Sequence, residues 1–232
     1  GILRFEGDTA NVSGFGVNLD GNLMITGGTV EFSGTGYQAG VALAGQITAT
    51  FPSTVDAVGV GNAGGGEIGV YVLPGFTLAG GAFLDLFFDG TAGGASGNDK
   101  HGVSIQSSFV CGSLTAIGTG GTNGGNSNIG VFISSTVQSQ GFLSFIGIGG
   151  GTAASSNCHG VHISSSGDVS TILGSDGQLS IDGDYTAGSS MAGVLVEGSM
   201  SGDGDVVVQS LTNSGAFGSA VGIEVAGSIA AT

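Results

Sequence analysis

Five consecutive residues, Cys158-His159-Gly160-Val161-His162, carry a thiol and two of the protein's three imidazoles. Thiolate and imidazole are the usual ligands of zinc. In an extended strand, however, adjacent side chains point to opposite faces, and residues 158 and 162 stand about 13 Å apart. One strand cannot close a tetrahedral site over that span, so structural roles are expected. Cys111 is the other cysteine, and two cysteines in 232 residues make no disulfide framework.

The remaining chemistry is acidic. Glu31, Asp56 and Asp85 each sit between two apolar residues, and Asp176, Asp203 and Asp205 form a second group. Carboxylates in a row are the oxygen donors a hard cation such as calcium takes. The plainer reading is a solvated, screened acidic stripe. Asp182 and Asp184 are the nearest candidates for the carboxylate pair of a glycosidase, but their phase suggests a corner. Asn11-Val12-Ser13 is a lone glycosylation sequon.

What must position these residues is a repeat. Gly followed by Val or Ile recurs at Gly16, Gly40, Gly69, Gly102, Gly130, Gly160, Gly193 and Gly222, at spacings of 24 to 33 residues. A period that wobbles around thirty is typical of a solenoid whose loops vary while its core does not. Each anchor opens a strand, because the residue two after the Val or Ile is again apolar, as in Val103/Ile105 and Val131/Ile133. A second pair follows: Leu3/Phe5, Val30/Phe32, Val55/Ala57, Leu84/Leu86, Leu143/Phe145, Leu179/Ile181 and Val206/Val208. In the repeat from Gly102 the phase slips, to Leu114 and Ala116 or Ile117. A weaker apolar position lies between the pairs, at Ile47, Val137, Ile172 and Ile229.

Glycine then follows the second pair at Gly7, Gly34, Gly59, Gly118, Gly147 and Gly183, where it is expected to turn a corner with positive φ. Polar glycine-rich stretches such as 118–128 read as corner loops. In-register stacking puts Glu31, Asp56 and Asp85 in one outward column, about 4.8 Å apart, with Arg4 beside Glu31. His101 and His159 share a repeat position two coils apart. Cys111 and Cys158 fall at different phases, which leaves a disulfide unsupported.

Charge narrows the partners. Seventeen acidic against two basic residues, Arg4 and Lys100, give a net charge of −15. Nucleic acid and anionic membranes are disfavoured, and cations are the electrostatic partners that fit. Trypsin-like proteases have almost nowhere to cut. Hydrophobic residues make up 40%, which argues against disorder despite 51 glycines. No stretch is apolar for long enough to span a bilayer as a helix.

The two ends share a phase of the repeat. Setting Thr232 before Gly1 gives GIEVAGSIAAT-GILRFEG, which aligns without a gap to GVFISSTVQSQ-GFLSFIG at 130–147. Neither end reads as a cap. Gly1, Ile2, Leu3, Phe5, Ile223, Val225, Ile229 and Thr232 are therefore the expected assembly interface, whether between copies or within a longer chain.

The pattern G-V-x-I, then G-x-L-x-I-x-G-x-G-G, then a Gly/Ser/Asn loop, resembles the repeats of large secreted bacterial β-solenoid exoproteins. These include filamentous-haemagglutinin-like adhesins and autotransporter passengers. The resemblance spans the whole chain and is one of repeat style. It implies a right-handed coil, an extracellular or cell-surface location, and a role in adhesion or matrix. It supplies no catalytic residues.

The expectation is an all-β protein: one parallel β-solenoid over 1–232, of about eight coils with three short strands each. It should act without catalysis, as a filament or adhesin segment that stacks on itself. Glycans of a host or neighbouring cell are the candidate external partner, and calcium the candidate cofactor. The alternative is a β-helix polysaccharide-degrading enzyme or glycan-binding module, which would need aromatic residues over a carboxylate pair.

Overall fold

The computed structural model describes residues 1–9, 13–62, 67–94, 97–152, 154–172, 177–187, 191–210 and 220–231. The sequon at Asn11, together with Asp176 and Thr232, lies outside the described residues. The chain winds as a parallel β-solenoid with three faces. Face one stacks eight strands: Ile2–Asp8, Gly28–Gly36, Ser53–Gly61, Leu84–Thr91, Ser113–Thr119, Leu143–Gly149, Leu179–Tyr185 and Val206–Ser210. Face two also stacks eight: Phe15–Leu19, Ala39–Leu43, Ile68–Val72, His101–Ile105, Val131–Ile133, Val161–Ile163, Met191–Val196 and Ala220–Val225. Eight strands correspond to seven steps between coils.

Face three is split. Asn22–Ile25, Gln46–Ala49 and Thr77–Ala79 form one ladder, and Phe109–Cys111, Thr136–Ser139, Asp168–Thr171, Ser199–Gly202 and Ser228–Ala231 the other. The break coincides with a single 3-10 turn at Gly81–Phe83. There the Phe76 and Phe109 rings meet edge-on, with centroids 6.0 Å apart.

The anchors hold their register. Val17, Val41, Val70, Val103, Val131, Val161, Val194 and Ile223 form one continuous column on face two. On face one the second inward column reads Phe5, Phe32, Ala57, Phe88, Ala116, Phe145, Ile181 and Val208. Large rings alternate with alanine through its middle, so the column fills without voids. Phe5 and Phe32 stack with centroids 5.2 Å apart. Each fully buried Val, Leu or Ile contributes about 1.5–3 kcal/mol.

Three readings of the sequence need correction. The pair in the fourth coil is Leu86/Phe88, not Leu84/Leu86, because Leu86 faces Val55 and Phe88 faces Ala57. Three alternating apolar residues leave that choice open, and Gly90 facing Gly59 settles it. The next coil does not slip: Leu114 and Ala116 are inward and buried. On face three the inward residue of the sixth strand of that set is Val169 rather than Ile172, since Val137 faces Val169.

The glycines of face one do not turn corners. Gly7, Gly34, Gly59, Gly90, Gly118, Gly147 and Gly183 lie inside strands, in one column. A Cβ on any of them would collide with the carbonyl oxygen of the anchor glycine that follows, as Gly118 would with Gly130. A Cβ on an anchor glycine would in turn strike face one, as Gly130 would at the Ile148 amide. Two glycine columns thus let faces one and two touch backbone to backbone. The described loop residues 97–100, 120–129 and 154–159 lie outside this pinch.

A side chain inside the pinch should therefore be far more damaging than one on an open corner. Gly118→Ala is expected to lose about 3 kcal/mol or more, whereas Gly21→Ala, whose Cβ would meet nothing within 4 Å, should stay within about 0.5 kcal/mol of the parent. Urea unfolding of both variants checks this.

Candidate functional site

The corner loops outside the pinch stack as the strands do. Asp99 N–H donates to the Asn126 carbonyl (3.0 Å) and Ser127 N–H to the Ser156 carbonyl (2.9 Å). Side chains extend the ladder: Asn98 Oδ1 accepts from Asn126 N–H (2.8 Å), and Asn126 Oδ1 from Ser156 N–H (2.9 Å). Cys158, Tyr185 and Met191 form a small apolar core of their own beneath these loops.

The stacked loops wall a cavity of about 380 Å³ on the outer side of face two, lined by Asp99, His101, Ser127, Ile129, Phe132, Asn157, His159, His162, Leu195 and Glu197. A second cavity of about 350 Å³ shares Asn157, His159, Leu195 and Glu197 and continues to Val221, Glu224 and Ala226. Together they make a trough that runs along the solenoid axis.

All three histidines of the chain meet here. His101 stacks on Phe132 with centroids 5.0 Å apart. Phe132 meets His162 edge-on at 5.4 Å, and His162 meets His159 at 5.3 Å. His162 Nε2 lies 3.0 Å from Glu197 Oε2. His159 Nδ1 accepts from the Ala192 N–H at 3.0 Å, so a neutral His159 carries its proton on Nε2 and presents a donor. His101 Nδ1, His162 Nδ1 and Asn128 Nδ2 are buried without a hydrogen-bond partner.

Burial, reinforced by the neighbouring His162, pushes His101 down to about 3. The same two causes push His159 down to about 4, against the Ala192 amide and Glu197. Both rings are neutral at pH 7.

The trough wall also has an uncommon backbone. Asp99 (φ 59°), Ser127 (φ 59°) and Asn157 (φ 57°) are the positive-φ non-glycine residues among those described. Each stands two residues before His101, Ile129 or His159, in three successive coils. A left-handed backbone costs a residue with a Cβ roughly 1 kcal/mol. Asp and Asn are the non-glycine residues that adopt this backbone most readily, and the three positions repeat it in successive coils along the trough wall.

The expected metal sites look different in three dimensions. Arg4 Nε bonds Glu31 Oε2 at 2.6 Å, as the stacking implies. Glu31 faces Asp56, and burial followed by the Glu31 charge raises the Asp56 carboxyl above its usual range. Asp85 is not in that column: Phe87 faces Asp56, and Asp85 faces Thr54 and Ser113, accepting the Ser113 hydroxyl at 2.6 Å. The two-residue error follows from the misplaced Leu84/Leu86 pair. Asp203 and Asp205 flank the turn into the last strand of face one, where Asp203 N–H donates to Thr171 Oγ1 at 2.8 Å. Among the described residues no three His, Cys, Asp or Glu side chains are grouped to hold one metal ion. Asp182 and Asp184 are not at a corner; both point outward from Leu179–Tyr185, beside Ile146 and Ile148.

Cys111 and Cys158 are free and buried. Burial pushes the Cys111 thiol up to about 12 and raises Cys158 as well. Neither is a nucleophile at neutral pH.

The strand argument missed the trough, because the strand begins only at Val161 and the loop before it brings the His159 ring within 5.3 Å of His162. Aligning NDKHGV (98–103), NSNIGV (126–131) and SNCHGV (156–161) would have shown the polar wall. No family model, curated protein or solved structure matches the chain.

Neutral buried imidazoles make stability depend on acid. The unfolded chain binds protons near pH 6.5, while His159 and His101 resist to about 4 and about 3, so stability is full above pH 6.5 and falls as pH drops through that window. His101→Phe keeps a ring on Phe132 and removes one titrating group. Its melting temperature should fall less between pH 7 and pH 5 than the parent's, and an equal fall would refute the assignment.

Proposed function

We propose that the chain is a segment of an extracellular structural fibre or adhesin whose coils stack end to end, as separate copies or within a longer chain. One observation carries this reading. Both terminal coils present the apolar columns of the core in cross-section: Ile2, Leu3 and Phe5 are 65%, 49% and 39% exposed, and Ile223, Val225 and Ile229 are 41%, 46% and 40% exposed. Gly1 is exposed beside them.

The columns match. Leu3 and Phe5 would extend those that finish at Val206 and Val208, and Val17 and Leu19 those that finish at Ile223 and Val225. Apolar surface of this kind is normally covered by a partner, and an unpaired strand edge recruits another strand. The remaining coils carry load through backbone ladders and a dry aliphatic core, which asks for no catalytic residue. Among the described residues no helix is long and apolar enough to cross a membrane.

Electron microscopy of the native material should show fibres with a repeat of roughly 38 Å, eight strands at the inter-strand spacing. Phe5→Glu or Ile223→Lys should stop self-association of the isolated chain in sedimentation. Discrete capped particles would overturn the reading. Native protein should also resist trypsin at Lys100, which is 2% exposed, and cleavage there before global unfolding would count against a load-bearing solenoid.

A further inference from the structure

The trough on face two is not used by end-to-end stacking, and its chemistry is specific. Its charged groups are all carboxylates. Asp99 and Glu197 stand at its two ends in the first cavity, and Glu224 continues the row in the second. Between them the floor is apolar, built from Ile129, Phe132 and Leu195. His101 is 7% exposed, and its Nδ1 is left without a hydrogen-bond partner against this cavity. A buried imidazole nitrogen with no partner is destabilising unless a ligand supplies one.

The spacing excludes a single metal ion. Asp99 precedes and Glu197 follows strands that lie three coil steps apart, about 14 Å along the axis at the inter-strand spacing, so one ion cannot touch both. His159 is tied by Nδ1 to the Ala192 amide and offers a proton rather than a lone pair. Anionic ligands meet three carboxylates. The faces of Phe132 are covered by His101 and His162, which leaves the ring edge as part of the floor and no open face for stacking.

We propose that the trough binds a linear aliphatic polyamine, with ammonium groups at Asp99 and at Glu197 and the alkyl chain lying over Ile129, Phe132 and Leu195. The left-handed wall residues Asp99, Ser127 and Asn157 line up their side chains along the ligand. Ammonium N–H groups pair with the Asp99 carboxylate and with Glu197 beside its His162 contact, and the methylene spacers match the apolar floor. This inference is independent of the fibre reading and stands or falls separately, because the first cavity, which holds both ammonium positions, lies along the side of the solenoid short of the terminal coil.

The test is calorimetric titration of the folded protein with spermidine in low-salt buffer. Saturable one-to-one binding is expected, weakened by added salt. Asp99→Asn and Glu197→Gln should each weaken it about threefold, and the double variant about tenfold. Asp182→Asn/Asp184→Asn, on the other face, should bind as the parent does. Asp99→Gly relieves the left-handed backbone, so it should fold at least as well by circular dichroism and melting while losing affinity like the Asn variant. Butylamine, with one ammonium group, should bind at least about tenfold more weakly. Absence of saturable heat, equal binding by the double variant, equal weakening by the Asp182/Asp184 variant, or binding of an oligolysine peptide without binding of spermidine would each overturn the proposal.

Discussion

Everything in this solenoid follows from the contact between two glycine columns. Where face one ends and face two begins, the backbones of Gly118 and Gly130, and of their counterparts in the other coils, approach more closely than any Cβ permits. That contact closes the coil at one corner without using side chains. The rest of the coil then needs only inward Val, Leu, Ile and Phe residues to fill a core of fixed width. Burying the aliphatic columns supplies the driving force, but the pinch decides the shape in which it is collected.

The pinch also separates what must be constant from what is free to vary. The chain between the two glycine columns emerges outside the closed coil and returns to it. Its length changes from coil to coil, as in 37–38 against 120–130, without disturbing the strand register. This is why the repeat wobbles between 24 and 33 residues while the columns do not. The described loop residues 97–100, 120–129 and 154–159 fall on successive coils and stabilise one another through asparagine and backbone ladders. Function-bearing side chains are thus mounted on loops that a rigid scaffold holds in register.

The two faces of the molecule carry different electrostatics for the same reason. On face one the outward column starts with Arg4, Glu31 and Asp56, and the like-charge contact is eased by a guanidinium at the end. On face two the outward rings of Phe132 and His162 meet edge-on along the axis, with His101 stacked on Phe132 and His159 beside His162. Stacking at one strand spacing turns a single polar or aromatic residue per coil into a continuous surface feature.

The sequence by itself determined the architecture. Period-2 alternation at Val131/Ile133 and Leu143/Phe145, repeated from anchors such as Gly130, requires a strand with one buried face, and a thirty-residue period requires stacking. It also determined the Arg4–Glu31 contact, since equivalent positions in adjacent coils must touch. Only the tertiary structure decided the role of the glycines, because a close approach of two backbones leaves no mark that distinguishes it from a turn. It decided the register of Leu84–Thr91 through Gly90, and with it the place of Asp85. It also decided that His101, His159 and His162 share one trough. Residues 101 and 159 are two coils apart, and they join one cluster only because Phe132 bridges His101 to His162, and His162 meets His159.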